Sequence, residues 1–261
     1  VGNGFSEYDF GQGGADGGTT QETIHVGDFD PGADRSKHTY LTANHIEIKG
    51  KFVQHGTDSV ILRSRGDVKE DAAASLEAKN LRLEFKGTYT LDSKNNKIGT
   101  IAANHVGDVA ITSDKLTVGT VTQPEKIDST TVTIHQAPLY GLKSTGNIKL
   151  TTDSLTLDKE IQSTVSGASA GTKTLTIEQK TPSRALYLGA ENTAGLSIKA
   201  DALSGANKKI ADGFKEIELG RADGTGKAHL DGALKFHDPT TIYGLSGVEL
   251  QNATVDGNGN A

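Results

Sequence analysis

One eight-residue pattern occurs five times in this chain, at 41–48, 76–83, 111–118, 150–157 and 198–205. Its first position is aliphatic, its third small, its fourth mostly Asp or Asn, its sixth aliphatic, and its eighth aliphatic in all but the last copy. The aliphatic set is Leu41, Ile46 and Ile48; Leu76, Leu81 and Leu83; Ile111, Leu116 and Val118; Leu150, Leu155 and Leu157; then Ile198 and Leu203. Successive copies start 35, 35, 39 and 48 residues apart. Self-similarity on this scale belongs to chains that stack similar units along an axis, each burying its apolar side against the next. The pattern therefore favours an elongated β structure over a cleft-bearing globule.

The two most similar copies extend to twelve residues, 107–118 and 146–157, and agree or differ conservatively at 10 of 12 positions. Each reads as a short alternating strand, a polar corner at Ser113-Asp114 or Thr152-Asp153, and a second alternating strand. Alternate side chains of a strand point to opposite faces, so the aliphatic residues share one buried side. Asp suits a corner because its carboxylate bonds nearby backbone groups. A hairpin would more often carry Asn-Gly or Asp-Gly at the turn, so this two-residue corner fits the bend of a parallel β-helix.

Composition agrees. The chain has 261 residues with 32 Gly, no Cys, no Met, no Trp and 5% aromatics. Stacked Val, Ile, Leu and Ala ladders need no Met or Trp to fill irregular gaps. Without Cys there are no disulfides and no thiolate metal sites. Without Met, Val1 is expected to be a processed terminus or the start of a fragment. No apolar run approaches the roughly 20 residues that cross a bilayer, so membrane insertion is not expected. A net charge of −6 with scattered Lys and Arg argues against nucleic acid as a partner.

Three regions are expected: a Gly-rich arm at 1–39, a β-solenoid at 40–250 and a Gly/Asn tail at 251–261. Phe5, Tyr8 and Phe10 set the arm apart from a plain flexible linker, which is poor in aromatics. Such an arm would cap the first rung or dock on a neighbouring molecule. Period-two segments recur about every ten residues through the central region, at 60–62, 132–134, 175–177, 186–188, 217–219, 234–236 and 248–250. One short helix is expected at 206–212, after Ser204 as N-cap and before Gly213.

The segment 217–230, which contains Gly220-Arg-Ala-Asp-Gly-Thr-Gly226, lies between Asp212-Gly-Phe214 and Phe236-His-Asp-Pro-Thr240. It resembles a motif of the large secreted bacterial proteins of the filamentous haemagglutinin-like type. The copies around 147–157 resemble the repeats of the same proteins. The resemblance covers about residues 100–250. It implies an all-β chain, a right-handed parallel β-helix with at most one short helix, exported to the cell surface or the medium in an adhesive or fibre-like role.

Several constellations have the residue types that chemistry needs. Gly167-Ala-Ser-Ala-Gly171 matches a nucleophile elbow, but a loop surrounds it where a strand and a helix are needed. Asp108, Asp114 and Asp153, with Arg63, Arg65 or Lys143 as cations, could form the carboxylate set of a polysaccharide-cleaving β-helix. Repeated corner Asp is also what turn chemistry alone requires. His25, His38, His45, His55, His105, His135, His229 and His237 show no metal-ligand spacing and read as loop residues, with the echo of Ala43-Asn-His45 in Ala103-Asn-His105 marking a structural role. Calcium is the ion to consider, on the Gly-rich turns at 13–17, 222–226 and 256–260, although none fits a known calcium loop. The threonines at 117–122, 130–133 and 172–176 do not align as an ice-binding array would need.

No residue is assigned a catalytic or metal role, and no cofactor is expected. The expectation is a non-enzymatic extracellular structural protein: a fibre, biofilm-matrix or adhesin subunit whose main partner is itself, end to end. Surface glycans or host receptors are further partners to consider. The alternative is a carbohydrate-active β-helix, disfavoured by the scarcity of aromatic platforms.

Overall fold

The computed structural model describes residues 7–10, 23–30, 32, 38–122, 126–127, 133–134, 137–167, 170–205 and 207–257. The chain is all-β apart from one four-residue helix, Ala200–Leu203. Its strands pair in parallel except within one insertion, where Lys126–Ile127 pairs with Thr133–Ile134 and Thr120–Val121 with Leu139–Tyr140.

One sheet runs through the whole molecule. In it His25, Glu47, Lys69, Thr90, Ala110, Lys149, Thr176, Glu218 and Thr241 stand side by side in successive parallel strands. Eight steps at the ~4.8 Å strand spacing make this sheet about 38 Å deep. The neighbouring inward row is Ile24, Ile46, Val68, Tyr89, Val109, Ile148, Leu175 and Ile217, and all but Ile24 are buried. Side chains of like size therefore meet their equivalents one strand away, and a single aliphatic cluster extends from Val26 to Phe236. A second ladder joins Leu41, Leu62, Leu83, Ala103, Leu142 and Ile161. Within the large sheet Lys51–Glu70, Ser75–Glu84, Lys97–Val106, Val109–Val118 and Thr88–Leu91 close on themselves as a parallel barrel of five strands, with the other strands attached. Closure follows from bent strands: Lys51–Glu70 meets Ser75–Glu84 along its first part and Thr88–Leu91 at 67–69.

The eight-residue pattern marks the bend rather than the repeat length. Early in the chain the sheet is revisited every 20 to 22 residues, from His25 to Glu47, Lys69, Thr90 and Ala110. Only the copies at 111–118 and 150–157 lie directly against each other, paired from Ile111 with Leu150 to Val118 with Leu157. Leu41 opens one copy and Leu83 closes another, yet both stand in the second ladder. The small third position has a steric cause, since Ala78, Ser113 and Thr152 are buried inside the bend. There Ser113 Oγ–H donates to the Ile98 carbonyl and accepts the Ile98 N–H, both at 2.9 Å.

Three expectations need correction. The helix forms at Ala200–Leu203, within the fifth copy of the pattern, and Ser204 is its C-cap. Gly205, with φ +86°, breaks the chain there, and Ile210 is drawn out to bridge Ile161. The segment 60–62 is not alternating, because Val60, Ile61 and Leu62 are all fully buried. The outward row Tyr40, Ile61, Arg82 and Ala102 is buried, and the described ends of the insertion, 119–122 and 137–141, are held there by Arg82 Nη1 to Ala137 O (2.9 Å) and Ser59 Oγ to Thr122 O (3.3 Å). A strand covered on both faces reads as a continuous apolar run. Third, strand Val248–Asp256 runs through Leu250 into the region expected as a tail.

Candidate functional site

Two places depart from the regular ladder: the seam beside Leu155 and Leu157, and the edge at Val248–Asp256. At the seam, Val109–Val118 flanks Ile148–Leu157 on one side, while Thr174–Glu178 covers only 148–151 on the other. The next element over 155–157 is Leu196–Lys199, which belongs to a separate four-stranded sheet with Leu186–Gly189, Ala228–Lys235 and Val248–Asp256. Leu155 and Leu157 are consequently half-buried, whereas the other predicted ladder residues, Leu41 through Leu150 together with Ile198 and Leu203, are buried. A cleft of about 530 Å³ opens there, lined among others by Asp114, Asp153, Arg184, Glu191 and Asn192.

The structure brings Asp114 and Asp153 into this cleft and leaves the rest of the predicted carboxylate set elsewhere. Asp114 Oδ1 takes Lys180 Nζ at 2.6 Å, and Asp153 accepts the Thr181 N–H at 2.9 Å and its hydroxyl at 2.5 Å. Asp108 accepts the Asn147 N–H at 2.6 Å. These aspartates bond the adjacent strand layer rather than their own turn. Asp28 with Lys51 N–H and Asp238 with the N–H groups of Gly213 and Phe214 repeat the device. Arg63 pairs with Glu84, Arg65 lies over the Phe85 ring at 5.7 Å, and Lys143 sits in the second ladder's strand, beside Gln162. Arg184 and Glu191, which the sequence did not single out, reach the cleft from the turns on either side of strand Leu186–Gly189. Arg184 Nη2 donates to Thr193 O at 3.1 Å, and Glu191 pairs with Lys199 at 2.6 Å. No local signal in those turns marks them.

Five histidines face a carboxylate on another segment instead of standing alone in loops: His25 with Glu47, His38 with Asp58, His45 with Asp67, His55 with Asp30 and His229 with Glu249. His45 and Lys69 together hold the Asp67 carboxyl below its ordinary range. The echo of His45 in His105 is not structural, because Ala103 aligns with Leu83 whereas Ala43 aligns with Ser64, and His105 has a left-handed backbone at φ +54°. Among the described residues no group of three His, Asp or Glu could hold a metal. The turn at 222–226 is built on contact: Gly226 passes so near the 184 carbonyl that a Cβ would lie 2.0 Å from it, and Thr225 N–H donates to Pro182 O at 2.8 Å. Arg221 Nη2 donates to Asp223 at 3.1 Å. The turns at 13–17 and 256–260, the nucleophile-elbow serine and Phe5 lie wholly or partly outside the described residues. Tyr8 and Phe10 belong to Glu7–Phe10, whose backbone pairs with the chain's own 38–41.

No family model, no curated protein and no solved structure matches the chain.

The second departure is the edge. Val248–Asp256 pairs with Ala228–Lys235 on one side and, among the described residues, with nothing on the other. Its ladder side chains stay in solvent, with Val248 53%, Leu250 65% and Val255 52% exposed and Leu245 beside them at 64%. Thr240–Ile242 likewise ends the 14-stranded sheet among the described residues. At the other end Thr23–Val26 pairs, among the described residues, only with 45–48.

One buried group has a pH consequence. Glu70 Oε2 accepts Asn96 Nδ2–H at 2.7 Å and the Ser93 N–H at 3.2 Å, while its Oε1 is buried without a hydrogen bond. Burial raises this carboxyl above its ordinary 4.5, and Asp92 nearby adds to the rise. The folded state then holds the proton more tightly than the unfolded chain. This contribution to stability is present below pH 4.5 and lost as pH rises through the folded value. Glu70→Gln is expected to flatten that decline. Urea midpoints measured from pH 4.5 to 8 would show it, and identical slopes for both proteins would refute it.

Proposed function

We propose that this chain is a structural module of an extracellular fibre or matrix, a right-handed parallel β-solenoid of the filamentous haemagglutinin-like kind that associates end to end. What carries the reading is the through-going row from His25 to Thr241, which repeats one parallel register across the depth of the molecule and ends on edges that are unpaired among the described residues. Such a core resists extension along its axis and offers backbone N–H and C=O groups at its ends for pairing. Export to the cell surface or the medium belongs to this reading through the resemblance of 217–230. The deciding experiment is electron microscopy with diffraction from oriented, concentrated protein. Thin filaments with a ~4.8 Å repeat along their axis are expected. Globular particles without that repeat would remove the proposal.

The cleft at Asp114 and Asp153 is the observation on the side of a carbohydrate-active protein. Glycoside hydrolysis needs two free carboxylates about 5–10 Å apart. Here Lys180 and Thr181 already occupy both, and no aromatic side chain lines the cleft. The structural reading stands ahead of it.

A further inference from the structure

Resting on the end-to-end reading above, we infer that the two ends of the molecule are complementary halves of one joint. The Thr240–Ile242 edge of one copy receives the Thr23–Val26 strand of a second copy, head to tail, and the same joint covers the exposed side chains of the neighbouring edge Val248–Asp256. The inference starts from register. The row that begins at His25 and ends at Thr241 has one residue per strand and one polarity throughout. A second copy placed one strand spacing beyond Thr241 continues it with its own His25, parallel, without rotation of the sheet. Ile24 and Val26 then fall beside Thr240 and Ile242, on the inward side of the row, where the preceding strands carry Ile217 and Leu219.

Side-chain chemistry agrees at both ends. The carboxy-terminal end exposes Leu245, Val248, Leu250 and Val255, and Leu250 directly continues the row of Leu188 and Leu230. The amino-terminal end has Ile24 and Phe29 packed on the core yet only half-buried, with Phe29 stacked on Phe52 at 5.1 Å between ring centroids. Polar chemistry is compatible as well. Glu218 lies one strand before Thr241, and Thr241 Oγ1–H donates to Glu216 at 2.7 Å, so the incoming His25 ring meets hydrogen-bond acceptors. The edge strand Thr240–Ile242 carries no charged residue and no Pro, whereas Val248–Asp256 keeps Glu249, Asp256 and an irregularity at Asn252. The joint is heterologous, one surface on another, and a heterologous joint that does not close gives a filament.

The absence of cysteine makes the register directly testable. Residues opposite each other on adjacent parallel strands lie at a Cα separation that a disulfide spans. The chain carrying His25→Cys together with Thr241→Cys is expected to give a ladder of disulfide-linked multimers under oxidation. His25→Cys alone and Thr241→Cys alone should give none. Leu250→Lys with Val255→Lys, at exposed positions that leave the fold intact, should abolish the ladder and reduce sedimentation to a single small species. Multimers in sedimentation without the mixed disulfide would overturn this joint while leaving the fibre reading in place. Dimers from His25→Cys alone would replace it by a two-fold, head-to-head contact. A single species at every concentration would show that no second copy occupies the edge. Protection of the 248–256 amides only by a different strand-forming peptide would assign the edge to another occupant, and both results overturn the inference.

Discussion

Gly189→Ala destabilises the carboxy-terminal sheet by about 4 kcal/mol or more, a magnitude that single substitutions reach only through a specific steric or electrostatic fault. Gly189 ends strand Leu186–Gly189 with φ +103°, a region that L side chains rarely adopt. A Cβ there would stand 1.8 Å from the Asp231 carbonyl oxygen and 2.9 Å from its carbon. Backbone on the adjacent strand cannot step aside as a flexible side chain would. Gly232 is the control, because its φ is +70° yet a Cβ meets nothing within 4 Å. Gly232→Ala should cost only the left-handed penalty, about 1–2 kcal/mol. Urea denaturation of the two variants separates clash from backbone strain, and equal losses would refute the steric account. The loss should also be local. Leu186–Gly189 is hydrogen-bonded into the four-stranded sheet and not into the 14-stranded one, so hydrogen exchange should rise at 186–189, 196–199, 228–235 and 248–256 while amides near 45–48 keep their protection.

That locality bears on what the residues reveal in advance. Aliphatic alternation at Leu41, Ile46, Ile111 and Leu150 announces buried ladders because burial and a two-residue period are both local properties of a strand. Ladder membership is not local. Leu41 and Leu83 share a ladder although they begin and end their copies, since that depends on how far the chain travels before each bend. The 39-residue step from Ala110 to Lys149 looked like a repeat length, but it is a longer circuit that contains the insertion at 119–141. The burial of Ile61 and Ala102 on the outward face was legible only as unbroken apolar runs. Candidate sites were less legible still. Asp114 and Asp153 do meet at one cleft, yet Arg184 and Glu191 arrive from the turns flanking Leu186–Gly189, whose composition carries no chemical signature. The exposed ladder at Val248, Leu250 and Val255 reads in sequence like any other strand, because exposure depends on what lies beyond it.

Arg82→Met is the second large effect, expected to cost about 3 kcal/mol and to loosen the insertion at 119–141. Glu84 is clamped between two guanidinium groups, with Oε1 on Arg82 Nε and Oε2 on Arg63 Nε, each at 2.5 Å. The Arg82 side chain is 6% exposed and Glu84 15%, so solvent screens the pair little. Arg82 also donates through Nη1 to the Ala137 carbonyl at 2.9 Å, which ties the insertion to the outward face of the second ladder. Methionine keeps the apolar stem and removes the charge, leaving one Glu84 oxygen and the Ala137 carbonyl without donors. Arg63→Met should cost less, because the Arg63 side chain is 18% exposed against 6% for Arg82 and solvent screens its charge more. The decisive comparison is Arg82→Met with Glu84→Gln. Removing both charges relieves the stranded carboxylate, so the double variant should regain part of the stability lost in the single one, while exchange at 119–122 and 137–141 stays fast because the tie to Ala137 is still gone. A single variant within about 0.5 kcal/mol of the parent, with unchanged exchange in the insertion, would mean that this clamp does not hold the insertion on the sheet.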